Sequence, residues 1–204
     1  MGGMTIMALA EQHPALFTER VAGVALIATS AGEVGSAGLS GALLSRRNPL
    51  TRGVGVLARV QPWLVETARR AAADVIWAIT RSFAYGDRNV APWLVDLVDQ
   101  MIGTNAVDAL TDFADTVGSH NRLAALPALA GCEVLVAAGD ADRVIPASHS
   151  DVIAAELPDA RLVKFPGSGH LPMLEQPAEM DEALADLIRR SAARVSPHGS
   201  RRRA

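Results

Sequence analysis

Glu133-Val134-Leu135-Val136-Ala137-Ala138-Gly139-Asp140-Ala141-Asp142-Arg143-Val144-Ile145-Pro146 is followed, after a short helical segment, by Arg161-Leu162-Val163-Lys164-Phe165-Pro166-Gly167-Ser168-Gly169-His170. Each stretch is an apolar run that ends in a polar, glycine-containing turn. Short apolar runs bounded by Gly and Pro read as buried strands. The helical segment between them, Ser148 to Leu157, predicts a parallel pair, because a parallel connection needs a crossover. In open parallel sheets, ligands and chemistry sit beyond the carboxyl ends of the strands. The carboxylate of Asp142 and the imidazole of His170 are therefore expected on one edge.

Working outward, the 204 residues suffice for one large domain or a domain with an inserted cap. Half the residues are apolar and a fifth are charged, a globular composition. The net charge of −3 gives no reason to expect nucleic acid or an anionic membrane as partner. The basic run Arg201-Arg202-Arg203 closes a segment expected to fray. No apolar run reaches the roughly 18–20 residues of a membrane span. The apolar start lacks the basic flank of a signal peptide. Cys132 is the only cysteine, which excludes an internal disulfide and fits a reducing, cytoplasmic setting. It opens an apolar strand and reads as a small buried residue.

Residues 1–16 begin with Met1-Gly2-Gly3-Met4 and continue as a helix, with Met4, Met7, Ala8 and Glu11 at helical spacing and Pro14 ending it. Val21 to Ser30 is a strand, apolar almost throughout as for one covered on both faces. Residues 31–48 are a Gly- and Ser-rich loop. Residues 49–127 read as amphipathic helices. Val65, Ala68, Ala72, Ile76, Ile79 and Phe83 mark one apolar face. Leu94, Leu97, Val98, Met101 and Ile102 mark a second, with Pro92 in its first turn; Ala106, Leu110, Phe113, Ala114 and Val117 mark a third. The last helix runs from about Pro177 to Ala192, with Met180, Ala183, Leu184, Leu187 and Ile188 as its apolar stripe. The order is α/β, with a parallel sheet of about three strands. Residues 1–30 and 128–192 form the core, 31–127 a helical cap, and 193–204 a disordered tail.

These residues resemble the C-terminal part of the α/β-hydrolase family. Gly139-Asp140-Ala141-Asp142-Arg143-Val144-Ile145-Pro146 is similar to the family's G-x-x-D-x-x-x-P turn, whose register selects Asp142 over Asp140 as the triad acid. Gly167-Ser168-Gly169-His170, with Leu171 to Pro177 after it, is similar to the turn of the catalytic histidine. Met1-Gly2-Gly3-Met4 looks like the tail of a G-x-S-M-G-G nucleophile elbow without its serine. The three stand in the family's order, Ser…Asp…His.

The resemblance implies a partial α/β-hydrolase fold, truncated just after the nucleophile. It implies His170 as base, Asp142 as the residue that orients it, and the backbone nitrogen of Met1 as an oxyanion donor. Some members use Asp as nucleophile, but Met1-Gly2-Gly3 is more similar to the residues that follow Ser. The implied activity is hydrolysis of an ester, thioester or related acyl compound, with little or none expected of the 204-residue chain. The Ala-, Leu- and Val-rich cap favours a small apolar acyl or ring substrate. A reading from another class is a catalytically dead member that binds an apolar ligand or a partner. A strand edge left open at 21–30 predicts self-association.

The remaining polar residues have plainer readings. Asp140 and Ser168 suit turn bonding. His13 is a solvated helix end, His120 a surface hinge with a place facing the site as the alternative, His149 a surface or capping residue at the start of the crossover helix, and His198 part of the tail. Trp63, Trp77 and Trp93 read as core packing in the cap, with lining of an apolar substrate pocket as the alternative. No metal-ligand spacing, P-loop or dinucleotide fingerprint is present, so no cofactor or metal is expected.

Overall fold

The computed structural model describes residues 1–33, 73–87, 89–104 and 116–195, together with Trp63 and Thr67. The chain begins with α1 (Gly2–Gln12), α2 (Pro14–Glu19) and β1 (Gly23–Ile27). Helices α3 (Ala73–Ala84) and α4 (Pro92–Gly103) come next, then a 3-10 helix (Leu123–Gly131). The chain continues with β2 (Glu133–Gly139), α5 (Ser148–Glu156), β3 (Arg161–Phe165), α6 (Pro172–Glu175) and α7 (Pro177–Val195).

The three strands form one parallel sheet in the order β1-β2-β3. Central β2 is buried from Val134 to Gly139, which explains its unbroken apolar run. Alternation along the strands divides the core. Val24, Leu26, Val134 and Val136 face α1, α2, the 3-10 helix and α5, where Met7, Phe17, Leu126, Leu129 and Ile153 complete one cluster. Leu135, Ala137 and Phe165 face α7 through Met180, Ala183 and Leu187. Cys132 is buried, and its thiol donates to the carbonyls of Phe17 and Val21. Burial pushes that thiol up from its ordinary pKa, as for a packed residue rather than a nucleophile.

Several boundaries differ from those read in the sequence. Pro14 does end α1, but it also opens α2, where its fixed φ and missing N–H suit a first helical position. The face of α1 buried in the core is Met4, Met7 and Ala10; Glu11 instead pairs with Arg122 at 2.9 Å. β1 stops at Ile27, because Ala28 takes φ 45°, a left-handed conformation that a strand cannot continue through. Helix α7 runs to Val195, into the segment expected to be tail, and Ile188 is 67% exposed rather than on its apolar stripe.

Trp63 and Trp93 are 65% and 64% exposed, so neither is core. Trp77 is half-buried; its indole N–H donates to Asp96 at 2.7 Å and Arg81 lies over its ring. On α4 the fully buried residue is Val95, while Leu97, Met101 and Ile102 are exposed. Residues 34–62, Val65, Ala68, Ala72 and residues 105–115, with the apolar faces assigned there, lie outside the described residues, as does the side chain of Ile76. Among the described residues, no helix is long and apolar enough to cross a membrane.

The register matters for the site. Gly139 pairs with Phe165 at the carboxyl edge, so the turns after β2 and β3 leave the sheet side by side. A Cβ on Gly139 would lie 2.2 Å from the backbone oxygens of Ser168 and Gly169. Gly139→Ala is therefore expected to lower stability by about 1–3 kcal/mol, as overpacking against backbone does. Urea denaturation reads it; an unchanged midpoint would mean that the two turns part freely.

Candidate functional site

The turn after β2 is built by its own carboxylates. Asp142 Oδ1 accepts the backbone N–H groups of Val144 and Ile145 at 2.7 and 2.9 Å. Asp140 Oδ1 accepts the N–H of Gly167 at 2.6 Å, and the N–H of Ala141 donates to Ser168 O at 2.9 Å. Asp140 thus ties one turn to the other, as a turn residue does. Gly167, at φ 72°, lets the second turn reverse.

With the turns locked, Asp142 Oδ2 meets His170 Nδ1 at 2.8 Å. The Asp142 side chain is fully buried and that of His170 is 28% exposed. The carboxylate acceptor assigns the ring proton to Nδ1, which leaves Nε2 as the basic nitrogen of the neutral imidazole. The structure therefore brings together the two residues that the family resemblance singled out, 28 positions apart.

Met1 precedes α1, and burial lowers its α-amino group from the ordinary pKa. In the first turn of α1, Met4 packs on Ile145, with Val144 and Val117 against them. The start of α1 is thus adjacent to the acid turn.

His170 also lines a cavity of about 600 Å³. Ile79 and Phe83 of α3, Leu97 and Met101 of α4, and Val144 and Met173 supply much of its wall. These side chains are apolar, which explains why α4 leaves several exposed. Among the described residues, no group of three or more His, Cys, Asp or Glu could hold a metal ion.

Three residues near this edge escaped the sequence reading. Glu175 accepts the N–H of Gly169 on Oε1 at 2.7 Å, and those of Gly86 and Asp87 on Oε2 at 2.8 and 3.4 Å. The N–H of His170 donates to Ala84 O at 2.7 Å. Tyr85 is fully buried, and its hydroxyl donates to Leu94 O at 2.8 Å. Burial, aided by the charge of Glu175, raises its phenol above the ordinary pKa. A carboxylate five residues after a glycine-flanked histidine is a faint local cue for the first, but bonds spanning 88 and 89 positions have no local signature.

Other candidates fall elsewhere. Ser168 stays in the histidine turn, where its backbone bonds Ala141 and Phe165; its buried hydroxyl has no partner among the described residues. His149 is not a helix cap: its Nδ1 lies 2.9 Å from Ser30 Oγ, joining α5 to the loop after β1. His120 is half-buried rather than a surface hinge, because the Gly32–Asn121 bridge and the bond from Arg122 N to Ala31 O draw its segment onto the end of β1.

Among the described residues, His120 Nε2 is buried without a partner, and burial with nearby Arg122 pushes its pKa below 6.5, against a hydrogen bond to the Ser30 backbone. A lowered histidine pKa means that the unfolded chain binds the proton more readily. The contribution is present above the unfolded value and lost as pH falls through the folded one. Stability is expected to decline between about pH 7 and pH 5, and His120→Gln to flatten that slope. Thermal or urea unfolding across the range measures it; parallel slopes for both proteins would refute it.

The model of the alpha/beta hydrolase family matches residues 1–183. Among solved structures, a thermophilic esterase from Thermogutta terrifontis is similar at 24% identity and a TM-score of 0.67, over 94% of this chain and 62% of that one. The enol-lactonase from Burkholderia xenovorans LB400 is similar at 18% identity and a TM-score of 0.68, over 93% of this chain and 63% of that one. Est816, an N-acyl homoserine lactone degrading enzyme, is similar at 21% identity and a TM-score of 0.59, over 91% and 63%. The chain therefore spans 62% or 63% of the length of these three structures, and at such identities the likeness is one of fold. With the family model matched from residue 1 to residue 183, this chain belongs to the alpha/beta hydrolase family.

Proposed function

We propose that this chain carries the acid–base half of a serine hydrolase that cleaves esters, thioesters or related acyl compounds with a small apolar acyl or ring group. The observation that carries the reading is the 2.8 Å bond from His170 Nδ1 to a fully buried Asp142, with His170 in the wall of an apolar cavity. Asp142 holds the imidazole in one tautomer and stabilises the imidazolium. Nε2 takes the proton of the attacking hydroxyl and later returns it to the leaving group. The similar esterase and lactonases fit this reading.

The nucleophile in this reading is a serine directly before the position of Met1, at the head of α1. The packing of Met4 beside the acid turn supports that place. Joined to such a residue, the Met1 nitrogen is an amide at a helix N-terminus, where partial positive charge favours a developing oxyanion. Helices α3 and α4 serve as the cap over the acyl group. Without the serine, turnover falls by on the order of 10⁶. A second reading is a catalytically dead member of the family that binds an apolar ligand or a partner. In either reading β1, paired with β2 alone among the described strands, is prone to self-association.

An esterase assay tests the reading, on the 204-residue chain and on the chain preceded by its in-frame upstream sequence. Turnover is expected only in the longer protein, and His170→Ala there is expected to cost roughly 10⁴–10⁶ in kcat. Substantial turnover by the short chain, or an unaffected His170→Ala, would overturn it. Size-exclusion chromatography checks the edge: association is expected for the short chain, and a sharp monomer peak with a cooperative melt would count against it.

A further inference from the structure

Glu175 lies where three segments meet, and all three bonds described for its carboxylate are to backbone N–H groups. Oε1 takes Gly169, the residue before His170; Oε2 takes Gly86 and Asp87, just beyond the end of α3. The same two segments also touch without side chains. His170 N–H donates to Ala84 O, a Cβ on Gly86 would lie 1.9 Å from Gly167 O, and a Cβ on Gly169 would lie 2.6 Å from Gly86 N. Two glycine-lined backbones therefore lie against each other, and one carboxylate fills both sets of donors.

Either end of this link leads to the site. On one side, Gly169 is followed by His170 and its bond to Asp142. On the other, Gly86 follows Tyr85, whose hydroxyl holds Leu94 of α4, so the ends of α3 and α4 are joined there. Those helices form the wall of the cavity that His170 lines. Charge-assisted bonds from backbone amides to a carboxylate are shorter and stronger than neutral ones.

We propose that Glu175 is a positioning residue: its carboxylate clamps the His170 turn to the end of α3, so that the imidazole and the apolar wall of the cavity hold their places as one unit. Its meaning for catalysis rests on the reading of His170 as the base, whereas the placement itself does not. Glutamine is the informative replacement. Its amide keeps one acceptor oxygen and turns the other into a donor, which then faces backbone donors.

The test is hydrogen exchange by NMR on the unmodified 204-residue chain and on Glu175→Gln. The amides of Gly86, Gly169, Val144 and Ile145 and the Nδ1 proton of His170 are followed. Glu175→Gln is expected to speed exchange at Gly86 and Gly169 by about 10- to 100-fold, the loss of a charged hydrogen bond. The His170 Nδ1 proton should exchange faster and shift, while Val144 and Ile145, held by Asp142, keep their rates. An Nδ1 proton unchanged in rate and shift would overturn the proposal, because Glu175 would then brace the turn without placing the ring.

Should Glu175→Gln not fold, the unmodified chain decides. In low denaturant, Gly86, Gly169 and the His170 Nδ1 proton are expected to open with one common free energy. Opening of Gly86 apart from the other two would overturn the clamp. None of these readouts involves turnover. A longer protein without esterase activity would therefore refute the proposed function while leaving the clamp standing.

Discussion

The site depends on a close approach of two backbones. Gly139 ends β2 where no side chain fits, and the carbonyls of Ser168 and Gly169 occupy the space a Cβ would take. That approach lets Ala141 bond Ser168 and Asp140 bond Gly167, which in turn sets Asp142 opposite His170. A parallel register supplies the frame, since Gly139 and Phe165 are partners at the same edge. The carboxylate and the imidazole are not flexible groups that find one another; each is delivered by a turn bonded to the other turn.

Burial decides how the pair behaves. Both oxygens of Asp142 are engaged, one by two backbone N–H groups and the other by the ring nitrogen. An ionised carboxylate removed from water is tolerable only with its acceptor sites filled in this way. The ring itself keeps some exposure and borders the apolar cavity. A buried, satisfied acid behind a partly exposed base gives the imidazole a fixed orientation and one available nitrogen.

Far from this edge, the opposite ends of the strands are held by charge. Glu133 of β2 pairs with Arg190 and Arg194 of α7, and Asp186 pairs with Arg190 and with Arg161 of β3. Hydrogen bonds from Arg190 and Arg161 lower the carboxyl pKa of Asp186. These pairs are partly exposed and contribute little individually. They fasten α7 at the end of the sheet away from the cavity that His170 lines.

Much of the architecture was legible in local patterns. Apolar runs ending in Gly-containing turns marked β2 and β3, a crossover helix demanded that they be parallel, and the 28-residue spacing of Asp142 and His170 followed from the two turns. These features are read from neighbours in sequence, because strand and helix periods are local properties. The end of β1 was not legible, since nothing about Ala28 announces a left-handed backbone. Trp63 and Trp93 misled because large aromatic residues usually pack inside. Glu175, Tyr85 and the partners of His149 and His120 belong to tertiary structure alone. Their contacts join segments that only folding brings together, and such a contact leaves no period, cap or turn signal along the chain. Sequence by itself determined the α/β order, the parallel pairing and which acid and imidazole share an edge. Tertiary structure alone decided how that edge is clamped and what lines the space beside it, because backbone donors look alike in every sequence until packing chooses their acceptors.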